Sequence, residues 1–130
     1  AAGVRLDLSQ VRLPVYALAA REDHIVPPAS AFRGVKLLGG ALTFVLGGSG
    51  HIAGVINPPG KGKYQFWTAP VRDGATFEDW LEDAQEAPGS WWPHWANWLV
   101  QHAGSWTAAR EPGAKLGVIE AAPGRYVKVR

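Results

Sequence analysis

The sequence predicts an α/β fold: a βαβ unit with parallel strands, followed by helices. Three observations point there. Val11 to Ala20 (VRLPVYALAA) and Ala41 to Gly48 (ALTFVLGG) are short apolar runs of the kind found in parallel strands covered on both faces. Between them, ASAFRGVKLLGG places Ala31, Val35 and Leu38 at spacings of four and three, the pattern of a short amphipathic helix. After them, TFEDWLEDAQEA and SWWPHWANWLVQHAG read as two further helices.

Each element has local support. Pro14 sits near the start of the first run, where a missing N–H is tolerated. That run ends in REDH and PP, a loop, and Gly39-Gly40 stop the helix that follows. GGSGHIAGVINPPGKGK is rich in glycine and proline and reads as loop for much of its length. Thr76 is the N-cap candidate of the next helix, with acids in its first turn and Phe77, Trp80, Leu81 and Ala84 on one face; Pro88-Gly89 break it. Pro93 falls in the first turn of the last helix and Gly104 lies beyond its end. Trp92, Trp95 and Leu99 share a face there, which reads as core or interface packing; a stacking platform for bases or sugars is the other reading of five crowded tryptophans. The tail, REPGAKLGVIEAAPGRYVKVR, shows no long periodicity.

Composition narrows the function. A chain of 130 residues, 47% hydrophobic and 18% charged, is in the range of one globular domain with a modest core. A net charge of +2 is too small to argue for nucleic acid, and Arg110, Lys115, Arg125, Lys128 and Arg130 read as a solvated surface. No apolar run approaches the roughly 18 residues of a transmembrane helix, and AAGVRLDLSQVRL lacks the pattern of a signal peptide. There is no cysteine, hence no disulfide and no thiolate. Nor is there a methionine, which leaves open that the chain is a piece of something longer. His94 and His102 lack the three- or four-residue spacing of a helical metal pair, so no metal site is expected.

The residues with chemical potential are Asp23 and His51. Asp23 and His24 are neighbours whose side chains point apart in extended backbone. His51 follows the second predicted strand as Asp23 follows the first, and the carboxyl ends of parallel strands are where ligands and catalytic groups gather. An acid and then a histidine is the order in which the α/β-hydrolase triad completes itself after its nucleophile. In such a triad the imidazole takes the nucleophile's proton and the carboxylate fixes its tautomer. The alternatives are a loop cap for Asp23 and an ordinary loop histidine for His51.

At REDHIVPP, FVLGGSGHIAGVINPPGKGK, GSWWPHWANWL and APGRYVKV, the chain resembles the C-terminal part of class I polyhydroxyalkanoate synthases. The blocks fall in the same order at similar intervals, from about Leu6 to the end. The resemblance implies that residues 1–130 are a C-terminal fragment of an α/β-hydrolase-type catalytic domain, incomplete without the upstream sheet. It implies an acyltransferase that polymerises (R)-3-hydroxyacyl-CoA, chiefly 3-hydroxybutyryl-CoA, into polyhydroxyalkanoate and releases CoA. Asp23 and His51 match the family's catalytic acid and histidine, and His24 matches a position of possible supporting role. The family's nucleophile is the cysteine of a Gly-x-Cys-x-Gly motif, which this chain lacks, so the fragment alone should be inactive. CoA thioester is substrate, and no cofactor is implied. A cytoplasmic homodimer associated with the polymer granule is the implied setting. Two other readings compete: a non-catalytic module binding acyl chains or the granule, and the C-terminal part of another α/β-hydrolase esterase.

Overall fold

The computed structural model describes every residue except Ala1, Val4, Pro112, Ala114 and Arg130. Strand β1 (Val15–Ala20) lies parallel to β2 (Leu42–Gly47), in register from Val15 opposite Leu42 to Ala20 opposite Gly47. Helix α1 (Pro28–Val35) joins them. Its first residue is proline, whose missing N–H would have no helical partner there anyway. Phe32 is its anchor, fully buried and edge-on to Phe44 at 5.0 Å between ring centroids. Leu38, expected on the same helical face, lies outside α1: the helix closes at Val35, where the Lys36 N–H reaches back to Gly34 and Phe32.

The sheet is larger than two strands, and it is mixed. Strand β3 (Gln65–Thr68) runs antiparallel to β2, and β4 (Gln85–Pro88) antiparallel to β3, giving the order β1-β2-β3-β4. This corrects two expectations. The purely parallel unit followed by helices gains two strands. The helix read through TFEDWLEDAQEA ends early, as α2 (Phe77–Asp83). Ala84 turns extended, and Gln85 to Pro88 pair with Thr68 to Gln65 rather than continue the helical turn. Pro88, read as a breaker, is the last strand residue, where edge position makes its lost donor tolerable. At the other end the capping box forms: the Asp79 N–H donates to the Thr76 hydroxyl, and the Thr76 N–H donates to the Asp79 carboxylate.

Two apolar clusters cover the two faces. Ala19, Phe44, Leu46 and Trp67 pack with Phe32 of α1 and Trp80 of α2. On the other face Val45 and Phe66 meet Trp91, with Tyr16 and Leu18 at the margin. Alternation along each strand produces this division, successive side chains pointing to opposite faces. Full cover on both faces holds for β2 from Phe44 to Gly47 but in β1 for its end alone: Ala19 and Ala20 are buried while Val15 to Leu18 are half-buried.

Helix α3 (Trp92–Val100) corrects a third expectation. It contains no fully buried residue, and Trp95 and Leu99 are 40% and 37% exposed. The side that meets the sheet is phased one position away. Trp91 just before the helix, His94 and Trp98 surround Tyr16, at 6.2, 5.7 and 5.5 Å between ring centroids. A histidine in the stripe hid it. His94 is a packing residue whose Nδ1 is hydrogen-bonded with the Tyr16 hydroxyl at 2.9 Å. Burial lowers its pKa and raises that of Tyr16, which disfavours charge on either group. Beyond α3 the described chain is mostly exposed, Arg110, Lys115, Arg125 and Lys128 included; Arg130 lies outside the described residues. Among the described residues no helix is long and apolar enough to cross a membrane.

Candidate active site

The parallel ladder does not end with its strands. The Arg21 N–H donates to Gly47 O at 2.8 Å and the Glu22 N–H to Ser49 O at 3.0 Å, so the loops leaving β1 and β2 stay paired. Arg21 also stacks its guanidinium over Trp67, 4.5 Å from the ring centroid. Ser49 then takes a left-handed conformation, φ +70, which L-residues other than Gly, Asn and Asp rarely adopt. After it comes a single helical turn. The Gly54 N–H donates to Gly50 O and the Ile56 N–H to Ile52 O, both at 2.8 Å. His51 stands at the start of that turn.

Asp23 occupies the corresponding place after β1. Its Oδ1 accepts from the Ile25 and Val26 N–H groups, both at 2.9 Å, closing the turn that leads into α1. Its Oδ2 lies 2.8 Å from His51 Nδ1. The loop cap and the acid–histidine pair, alternatives on sequence grounds, are therefore both present, one on each oxygen. The Val26 N–H first, and the His51 ring second, lower the carboxyl from its ordinary 3.8 to about 2. Asp23 is accordingly ionised near neutrality and can only accept, so His51 Nδ1 carries the proton of this bond. In the neutral ring Nε2 is then the basic nitrogen, with a lone pair free to take a proton. The His51 side chain is 46% exposed, against 9% for Asp23. The acid is enclosed and the base is accessible.

A cavity of about 220 Å³ adjoins the pair, walled in part by Leu18, Ala20, Val26 and Val55. The rest of its lining is apolar, with Asp23 and His51 as the polar groups. The larger concavities on α3 and the chain after it contain neither Asp23 nor His51. His24 is exposed and outside the hydrogen-bonded pair. His102 turns back on its own helix, Nδ1 2.9 Å from Trp98 O.

Several residues around the site carry no sequence signal of their role. The Ile25 and Val26 amides are backbone. Gly54 packs so closely that a Cβ would stand 2.7 Å from Ala20 Cβ and 2.8 Å from Gly48 O. Trp91 and Trp92 send their indole N–H groups to Gly54 O and Val55 O, at 3.1 and 3.0 Å.

The structure thus sets a carboxylate–imidazole pair at the carboxyl ends of two parallel strands, the edge of an α/β sheet where ligands and catalytic groups gather. Comparison with known proteins narrows the class. The chain is 55% identical over 129 residues to the poly(3-hydroxyalkanoate) polymerase subunit PhaC of Rhizobium etli, covering 98% of this chain and 20% of that protein. It is 50% identical to the subunit of the same name from Rhizobium meliloti, covering 99% of the chain and 21% of the relative. For Cupriavidus necator the identity is 48% over 130 residues, covering 98% and 22%. No protein-family model matches the chain. The chain is related by sequence to the poly(3-hydroxyalkanoate) polymerases and spans about a fifth of their length.

Proposed function

We propose that this chain supplies the acid and the base of a polyhydroxyalkanoate synthase, an acyltransferase that polymerises (R)-3-hydroxyacyl-CoA, chiefly 3-hydroxybutyryl-CoA, and releases CoA. The observation that supports it most is the 2.8 Å contact between Asp23 Oδ2 and His51 Nδ1 at the ends of β1 and β2. The rest of the triad, a cysteine in a Gly-x-Cys-x-Gly turn, belongs in this reading to polypeptide outside these residues, since the chain contains none. The fold is correspondingly read as the C-terminal part of an α/β-hydrolase sheet, continued by further strands beyond the outer edge of β1.

His51 Nε2 takes the proton of the cysteine thiol, and the thiolate attacks the thioester carbonyl. Collapse of the tetrahedral adduct expels the CoA thiolate, which takes up a proton, and leaves the acyl group on the enzyme. The 3-hydroxyl of a second unit then attacks that acyl group, its proton passing to a base at the site; the ester bond forms as the acyl–sulfur bond breaks, and the cysteine leaves as the thiolate. Asp23 serves by fixing the His51 tautomer and stabilising the imidazolium. Activation of the 3-hydroxyl by Asp23 is the alternative, and it fits less well because both carboxylate oxygens already accept hydrogen bonds.

The exposed apolar side chains after α3, Trp106, Leu116, Ile119 and Tyr126 among them, are the surface that this reading gives to the remainder of a cytoplasmic synthase, a second subunit or the polymer granule. The coding sequence upstream of Ala1 and a CoA-release assay test the function together. A Gly-x-Cys-x-Gly motif upstream, with CoA release by the longer protein and none by residues 1–130, is the expected result. A complete gene without the motif refutes the reading and favours a binding module.

A further inference from the structure

The turn that carries His51 is held from outside at its closing end. In a short helical turn the last carbonyls have no partner within the turn. Here those carbonyls are Gly54 O and Val55 O: the Asn57 N–H reaches Val55 O at 3.1 Å, and two adjacent tryptophans donate one indole N–H to each. The Trp91 indole N–H donates to the first and the Trp92 indole N–H to the second. Trp91 ends the turn between β4 and α3 and Trp92 is the first residue of α3; that turn is itself fixed. Gly89 adopts φ +84, and its N–H donates to Tyr64 O at 2.8 Å. The Ser90 hydroxyl accepts from the Trp92 N–H at 3.1 Å. A third tie runs the other way: the buried Asn57 amide donates to Lys63 O and Gly89 O, at 2.9 and 3.4 Å.

The opposite side of the turn is fixed by contact. Gly54 sits against Ala20, the last residue of β1, with no room for a side chain. The backbone of the turn is thus set between the end of β1, from which Asp23 departs, and the two indoles. His51 itself is half-exposed, so packing does not orient its ring. Its orientation depends on the bond to Asp23 and on where its backbone stands.

We propose that Trp91 and Trp92 are positioning residues for His51: their indole N–H groups hold the two carbonyls that close its turn, and so set the imidazole against Asp23. The alternative is that each indole merely satisfies itself. That suffices for Trp91, which is 9% exposed and must find an acceptor. It does not account for Trp92, whose bond to Val55 O is solvent-exposed and whose N–H could bond water instead. The inference rests on the reading of His51 as a base, and its test is built so that the two can fail separately.

The experiment uses the full-length protein that carries this chain, with Trp91→Phe and Trp92→Phe alone and combined. A further form has 3-benzothienylalanine at position 92, which keeps the shape of tryptophan and lacks the N–H. Hydrogen exchange of the peptide spanning residues 49–57 is expected to accelerate roughly tenfold or more in the combined variant, with β3–β4 unchanged. CoA release is expected to fall by about 10- to 100-fold in kcat with KM little altered, because displacements of the order of an ångström carry losses of that size. The benzothienyl form should lose activity as Trp92→Phe does. A purely packing role would leave it at the parent's rate, and that result overturns the proposal. Unchanged exchange in the combined variant overturns it as well, whatever the activity. His51→Gln, run alongside, reports on the functional reading: if it retains turnover, that reading falls, and exchange of the 49–57 peptide decides whether the indoles hold the turn.

Discussion

Asp23 meets His51 with one carboxylate oxygen while the other is committed to the backbone of its own turn. Oδ2 receives the imidazole Nδ1 at 2.8 Å; Oδ1 receives the Ile25 and Val26 N–H groups. The acid cannot swing away from the histidine without releasing two backbone donors. In the proposed function this held carboxylate is the group that orients His51, and that leads to the first prediction.

Asp23→Asn keeps an acceptor for the turn but presents an amide or a neutral oxygen to His51. Without the charge, Nδ1–H is no longer the favoured tautomer. CoA release by the full-length protein should fall by about 10³-fold or more, as tautomer loss does in triads generally. Asp23→Ala should lose comparable activity and also lower Tm, because the turn loses its acceptor. Equal Tm for the two variants would show that Oδ1 has no structural part.

The depressed acidity of Asp23 makes stability depend on pH with a definite sign. Its folded value, about 2, is below the ordinary 3.8, so the unfolded chain binds the proton more readily. The stabilisation is fully present above about pH 4 and lost as pH falls through 2. Acid titration followed by tryptophan fluorescence should show a shallower loss in Asp23→Asn across that window.

His94 acts in a higher window. Burial lowers its pKa, so protonation disfavours the folded state, and stability should decline as pH falls from about 6.5. Replacing it by Phe removes both the titration and the Tyr16 hydrogen bond. Urea unfolding of His94→Phe at pH 7 and pH 5 should differ by less than the parent does.

The core and the site should separate in their responses. Phe32→Ala empties a fully buried position between the sheet and α2, a change of about 3–5 kcal/mol in unfolding free energy. Gly54→Ala sets a methyl against Ala20 and two backbone carbonyls, with an expected cost of about 1–3 kcal/mol. Its effect on turnover should exceed its effect on stability, because the strain falls on the turn bearing His51. Denaturant midpoints measured beside CoA release distinguish the two cases.

The β1–α1–β2 unit and the Asp23–His51 pair were legible in the sequence for one physical reason. Apolar runs bounded by turn residues mark parallel strands, and parallel strands bring the loops at their carboxyl ends together. The four-residue strands β3 and β4 were not. QFWT is too short to show a period, and Gln85 to Ala87 continue an acidic helical pattern with no break before Pro88. The stripe of α3 was misplaced because His94, a polar residue, occupies the position between Trp91 and Trp98 that packs on Tyr16. Ties made by main-chain atoms and indole N–H groups, such as Trp91 to Gly54, leave no spacing to read.

In the proposed reaction His51, held by Asp23, is the base. The measurement that tests it most directly is steady-state CoA release by the full-length protein with His51→Gln, checked for native folding by circular dichroism. A loss of about 10³-fold or more in kcat is expected. Near-normal turnover by a folded His51→Gln protein would contradict it.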